Sequence, residues 1–230
     1  MALSISSRLS AVQARIATAE VAAGRPPGSV QLIAVSKTQP AAGVRSAVAA
    51  GQLDFGENYL QEALEKQRQL EDLPNLIWHF IGPLQSNKTR AVSEHFDWVH
   101  SIDRLTLAER LARQRPRERG PLKVCIQVNI SREATKSGVL PEALFELAQA
   151  VYGLPGLELR GLMAIPEPCL TGKIIPEPFE QLRDLLRQIP IPHLDVLSMG
   201  MSDDLDVAIA AGATHVRIGT AIFGARKDSV

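Results

Sequence analysis

Lys37 closes the run Val30-Gln31-Leu32-Ile33-Ala34-Val35-Ser36-Lys37 and is the residue in this chain best placed for covalent chemistry. Residues 32–35 form an unbroken apolar run with two β-branched members, a pattern that suits a strand buried on both faces. A lysine at the exit of such a strand sits at the rim of a core. Partial burial there disfavours the ammonium and exposes a neutral amine, the form that attacks a carbonyl to make a Schiff base. A solvated loop lysine is the plainer alternative, and the rest of the chain decides between them.

Two further groups suit an anionic ligand. Ser198-Met199-Gly200-Met201-Ser202 offers hydroxyls and a glycine that lets backbone N–H groups approach. Gly219-Thr220 opens a short helix, whose first N–H groups lack internal partners. Ser202 or Asp203 could instead cap the helix beginning at Asp204, with Thr220 a simple turn residue. One cap still leaves a second serine for a phosphate. Arg217 stands beside Gly219 and could pair with a phosphate, point at a ring nitrogen, or close a salt bridge at the rim. The five histidines, His79, His95, His100, His193 and His215, show neither zinc-helix spacing nor a carboxylate cluster. His79 reads as a hydrogen-bonded core histidine. Asp203-Asp204 suits the positive end of a helix dipole, so no metal site is expected. No Gly-x-Ser-x-Gly elbow is present.

The elements that must position these residues alternate in type. An i, i+3/i+4 apolar series through Ile5, Leu9, Val12, Ile16 and Ala19 predicts a helix over 4–23, stopped by Gly24 and Pro26-Pro27-Gly28. Strands are then expected at 31–35, 54–55, 77–81, 98–100, 123–129, 158–164, 196–199 and 214–218. Helices are expected at 41–50, 59–70, 88–94, 105–113, 141–152, 178–188 and 204–211, with a short one near Ala221. Strands alternating with helices imply a parallel sheet, and eight such units fit a single α/β domain of the (β/α)8 TIM barrel type. A doubly wound sheet is the alternative, but Ser36-Lys37-Thr38-Gln39-Pro40 is not its Gly-rich turn. Residues 1–28 form an N-terminal helix and turn, residues 30–224 the barrel, and no domain boundary is expected within 1–230. Barrel sites lie at the C-terminal ends of the strands, with phosphate held after strands seven and eight. Lys37, Asn58, Gly200, Ser202, Arg217, Gly219 and Thr220 all fall at such exits.

Composition narrows the function. Apolar residues make up 45% and charged residues 22%, the balance of a soluble globular chain. Lys+Arg and Asp+Glu each total 25, without the basic surplus of a general nucleic-acid binder. The Arg-rich stretch 110–119 reads as the solvated end of a helix. Cys125 and Cys169 form neither a disulfide framework nor a CxxC site, and Cys125 reads as core. No apolar stretch is long enough for a membrane, and residues 1–25 lack a signal-peptide core, so a cytoplasmic protein without a membrane partner is expected.

Ala34-Val35-Ser36-Lys37-Thr38, Phe55-Gly56-Glu57-Asn58, the segment from Trp78 through Gly82-Pro83-Leu84-Gln85-Ser86-Asn87-Lys88, Leu197-Ser198-Met199-Gly200-Met201-Ser202-Asp203-Asp204-Leu205 and Val216-Arg217-Ile218-Gly219-Thr220-Ala221-Ile222-Phe223-Gly224 together resemble the pyridoxal phosphate homeostasis protein family. That family looks like the isolated barrel of bacterial alanine racemase, a fold-type III barrel for pyridoxal 5′-phosphate (PLP). The resemblance spans about Val30 to Gly224 with the motifs in order. It implies PLP joined to Lys37 as a Schiff base. It implies phosphate contacts from Ser198, Gly200 or Ser202 and from Gly219 and Thr220, Asn58 on the ring-hydroxyl side, and Arg217 at the pyridine nitrogen. Arginine only donates, so the ring nitrogen accepting from it carries no proton and the cofactor becomes a weaker electron sink. The apolar loop 168–176 departs from the pattern and bears on access past strand six.

Three functions compete. A carrier would hold, buffer and deliver PLP to PLP-dependent apo-enzymes, with no catalytic residues of its own. An amino-acid racemase would need a second domain and an opposed tyrosine. Only thirteen residues follow Arg217, and the tyrosines are Tyr59 and Tyr152, so at most a slow side activity is expected. A cofactor-free Schiff-base aldolase explains Lys37 and a phosphate site but not the full motif set. The carrier is the expected function, and without the racemase dimer contact a monomer is expected.

Overall fold

The computed structural model describes residues 3–133, 135–166 and 175–224. Eight strands pair side by side in chain order and close into a barrel: β1 (Gln31–Val35), β2 (Asp54–Glu57), β3 (Ile77–Phe80), β4 (Trp98–Ile102), β5 (Leu122–Gln127), β6 (Leu157–Met163), β7 (Val196–Ser198) and β8 (His215–Ile218). Every pairing is parallel, including the closing pair of β1 with β8. Helices α1 (Ile5–Ala22), α2 (Ala41–Ala49), α3 (Leu60–Gln69), α4 (Thr89–His95), α5 (Leu105–Gln114), α6 (Pro141–Tyr152), α7 (Glu177–Gln188), α8 (Leu205–Ala211) and α9 (Thr220–Phe223) complete the βα units, with α1 as an addition at the front. Among the described residues, no helix is long and apolar enough to cross a membrane.

Strand alternation splits the interior in two. Leu32 and Ala34, Phe55, Trp78 and Phe80, Val99, Val124 and Ile126, and Val216 and Ile218 face the helices and belong to the main core. Trp98, Cys125, Met163 and Val196 form a smaller cluster inside the barrel, and Cys125 is buried as expected. Gly161 lets β6 and β7 run this close, since a Cβ there would lie 1.9 Å from the Val196 carbonyl oxygen. The expected elements exist in order, with shifted ends. β2 continues past Phe55 because Gly56 and Glu57 pair with His79 and Phe80, and main-chain pairing of this kind leaves no trace in apolar patterning.

The N-terminal helix is built into the barrel wall. Ser4 Oγ caps it by accepting from Ser7 N at 3.1 Å, and Leu9, Val12, Ile16 and Ala19 are its buried face. Glu20, also buried, accepts from the N–H groups of Gly28 and Val30 and so shapes the turn into β1. Arg15 pairs with Asp206 of α8 at 2.6 Å and donates to the Ser202 carbonyl at 2.6 Å. One expectation fails here. The 110–119 stretch is not simply a solvated helix end, because α5 stops at Gln114 before Pro116. Arg115 then donates to the carbonyls of Ser93, Phe96 and Gly120, and Arg119 to that of Glu94. These arginines satisfy carbonyls in the last turn of α4 and in the loops after α4 and α5, which have no intrahelical partner. Cys169 and most of the 168–176 loop lie outside the described residues.

Candidate functional site

A cavity of about 590 Å³ opens at the C-terminal ends of the strands. Lys37, Asn58, Ser202, Arg217, Gly219 and Thr220 all line it. Four different strand exits, those of β1, β2, β7 and β8, therefore converge on one space, which neither helix propensity nor strand pattern alone could establish.

Lys37 is half-buried, one residue past the buried Ser36. Its neighbours are held by an ion-pair cluster beneath the exit of β1. Lys66 Nζ, from α3, donates to Glu57 Oε1 at 2.5 Å, to the Ser36 carbonyl at 2.7 Å and to Glu62 Oε1 at 3.0 Å. Ser36 Oγ donates to Glu57 Oε1 at 2.6 Å, and Thr38 N donates to Glu62 Oε1 at 2.6 Å. Thr38 takes the left-handed backbone region, φ 62°. The cluster thus fixes the chain on both sides of Lys37. Burial pushes the Glu57 carboxyl above its usual range, against the opposing pull of Lys66. The sequence reading missed Lys66. The signal was its place in the series Leu60, Ala63, Lys66, Leu70, where a charge falls on the buried face of α3.

Asn58 follows β2. Gly82 makes room for it, since a Cβ at Gly82 would stand 2.4 Å from the Asn58 carbonyl oxygen. Asn58 Oδ1 is buried and has no hydrogen-bond partner among the described residues. Such an acceptor costs free energy unless something at the site donates to it.

The loop after β7 differs from expectation. Ser198 and Gly200 do not line the cavity. Ser198 is fully buried, its hydroxyl engaged by His100 Nδ1 and Arg217 Nη1, each at 2.8 Å. Gly200 takes φ 95°, and a Cβ there would lie 2.7 Å from Ala208 Cβ, so it serves the close approach of α8. Neither Ser202 nor Asp203 occupies the cap of that helix. Asp204 does, and its Oδ1 accepts from Met201 N at 2.5 Å. Ser202 is therefore not drawn into the cap and stands on the cavity wall.

Across the mouth, Gly219 precedes α9, and a Cβ there would meet the Val35 carbonyl oxygen at 3.2 Å. The absence of a side chain brings the Gly219-Thr220 backbone against the exit of β1. Arg217 is buried and held by three bonds: Nη1 to the Ser198 carbonyl at 2.6 Å and to Ser198 Oγ at 2.8 Å, and Nη2 to the Ala164 carbonyl at 3.0 Å. Burial pulls its pKa down to about 10, which leaves it charged at neutral pH. Of the three roles left open for Arg217, the rim salt bridge is not formed among the described residues, where its hydrogen-bond partners are oxygens of Ser198 and Ala164. No group of three or more metal-ligating side chains occurs among the described residues.

The fold and the site define a class. The family model for the alanine racemase N-terminal domain matches residues 7–227. The Corynebacterium glutamicum alanine racemase shares the fold, with TM-score 0.65 at 18% identity over 96% of this chain and 62% of the racemase. Much closer are two relatives named pyridoxal phosphate homeostasis protein. That of Pseudomonas aeruginosa is 62% identical, covering 96% of both chains, and that of Escherichia coli K12 is 53% identical, covering 98% of both. PipY of Synechococcus elongatus, solved with PLP bound, superposes with TM-score 0.83 at 43% identity over 96% of this chain and all of PipY. The chain belongs to the pyridoxal phosphate homeostasis protein family.

Proposed function

We propose that this protein binds pyridoxal 5′-phosphate in the cavity at the strand exits and serves PLP homeostasis as a carrier without efficient turnover. The observation that carries the reading is the convergence of Lys37, Asn58, Ser202, Arg217 and Gly219-Thr220 on one cavity. The unpartnered Asn58 Oδ1 and the glycine cradle at Gly219 fit a polar, phosphorylated ring compound. PLP brings an aldehyde for an amine and a conjugated ring that delocalises negative charge.

Each residue then has a task. Lys37 supplies the amine that joins the aldehyde, on a backbone held by the Glu57–Lys66 cluster. Ser202, Thr220 and the backbone N–H groups after Gly219 hold the phosphate, with Ser198 and Gly200 supporting from behind the wall. Asn58 faces the ring-hydroxyl side. Arg217 donates to the ring nitrogen and keeps it without a proton, so charge at a substrate α-carbon is poorly delocalised. The same reading makes the protein a cytoplasmic monomer that passes PLP to apo-enzymes. Tyr59, exposed beside Asn58, is the residue to watch for a slow racemase-like side reaction.

The test follows α-hydrogen exchange by NMR for the PLP-loaded protein with a panel of L-amino acids in heavy water. A carrier exchanges slowly. Exchange or racemisation at roughly one per second or faster, an ordinary enzyme rate, makes the protein a catalyst.

A further inference from the structure

A polar chain runs along the barrel axis beneath the cavity. Asp54 Oδ1 lies 3.0 Å from His79 Nε2, His79 Nδ1 lies 3.0 Å from His100 Nε2, and His100 Nδ1 lies 2.8 Å from Ser198 Oγ. Ser198 Oγ in turn accepts from Arg217 Nη1 at 2.8 Å. The five residues come from β2, β3, β4, β7 and β8. His79, His100 and Ser198 have no exposed surface. Trp98 stacks on His79 with ring centroids 5.6 Å apart and planes 13° from parallel. Barrels of this type usually fill their interior with branched apolar side chains, and a polar group moved there is costly unless paired.

Both ends of the chain set its direction. Arginine can only donate, so Ser198 Oγ must accept from Arg217. At the other end the Asp54 carboxylate can only accept, so a neutral His79 donates from Nε2 and accepts at Nδ1, which leaves His100 Nδ1 to accept the Ser198 hydroxyl proton. His100 therefore carries its proton on Nε2 and donates to His79 Nδ1. His79 carries its own on Nε2 and donates to the Asp54 carboxylate, which can only accept. All four links point one way, from guanidinium to carboxylate, and aligned bonds in a low-dielectric interior polarise one another. Burial, with like charge from neighbouring groups, holds the His100 pKa well below its usual value, consistent with a single ring proton.

We propose that Asp54, His79 and His100 are positioning residues for Arg217, orienting Ser198 Oγ and so fixing the charge that Arg217 presents to a bound cofactor's ring nitrogen. The proposal rests on the reading that the cavity takes PLP. None of the three lines the cavity. Asp54 sits at the opposite end of the barrel, where Gln31 Nε2 donates to its other oxygen at 2.7 Å. Other titratable groups facing the chain are His215 of β8 and Cys125 of β5, with Asp204 acting on Arg217 from above.

Two measurements decide it. The first uses cofactor-free protein labelled with ¹⁵N at histidine, the signals assigned by single replacement of His79 and His100. At neutral pH both rings are expected to carry their proton on Nε2 alone. A proton on Nδ1 of either ring overturns the chain. The second compares wild type with Asp54→Asn, which keeps an acceptor oxygen for His79 but removes the charge. Absorbance of bound PLP is titrated against pH in both. Losing the negative charge makes the potential at the cofactor more positive, so the variant's midpoint should shift to lower pH. A purely structural Asp54 would lower thermal stability and leave the midpoint in place, and that result overturns the proposal while leaving PLP binding intact. Failure of wild type to take up PLP overturns the site reading, and the proposal with it. If Asp54→Asn does not fold, the tautomers measured in wild type decide.

Discussion

Lys37 and the phosphate-side hydroxyls have separable jobs, because one supplies a covalent bond and the others a charge-assisted anchor. Lys37→Ala should still bind PLP noncovalently. Ser202→Ala combined with Thr220→Val should weaken PLP binding by roughly tenfold or more for the pair, while pyridoxal, which lacks the phosphate, should be almost unaffected. Equilibrium titrations with both ligands check this, and equal losses for the two would place the phosphate elsewhere. At this scale Lys37, Asn58, Arg217, Gly219 and Thr220 were legible as residues of the cavity wall because each lies in a buried strand or within two residues of its end. Ser198 was misread for a definite reason. β7 is only three residues long, so its spacing does not tell whether its last side chain faces the mouth or the barrel axis. Partners nearly a hundred positions away in sequence, such as His100, settle that question.

Among the elements, α3 contributes most to the site without touching it. Lys66 brings a positive charge under β1 and β2, where its side chain is 3% exposed and that of Glu57 is fully buried. Breaking a buried pair leaves one charge uncompensated, so Lys66→Met should destabilise the fold by about 3–5 kcal/mol in urea titration. Lys66→Met combined with Glu57→Gln should recover part of that loss. A single variant as stable as wild type would show that the cluster does not hold the exit of β1. The strand and helix order was readable from apolar periodicity, which reports burial. The Glu57–Lys66 pair was not, because it depends on which face of α3 meets β2. Arg115 and Arg119 were misassigned on the same ground: charge density suggests solvent, whereas their guanidinium groups bind main-chain carbonyls at the C-terminal end of α4.

The whole molecule carries three of its five histidines, His79, His100 and His215, inside the barrel, and this sets its response to acid. Burial lowers the His215 pKa from 6.5 to about 4, and that of His100 also falls well below the usual value. The folded state therefore binds fewer protons than the unfolded chain in that window, so stability rises with pH there. It should be fully present above about 6.5 and be lost progressively as pH falls toward about 4. Thermal melts across that range measure it, and a flat profile would contradict the burial described. The closed barrel itself was legible from eight alternating βα units, but the histidine chain was not, since its links join strands that meet only once the barrel closes. The central claim is that this barrel holds PLP on Lys37. Borohydride reduction of the PLP-loaded protein, followed by protease digestion and mass spectrometry, tests it most directly. The cofactor should be found fixed to the peptide containing Lys37; labelling of a different lysine, or no covalent adduct at saturating PLP, would contradict the account.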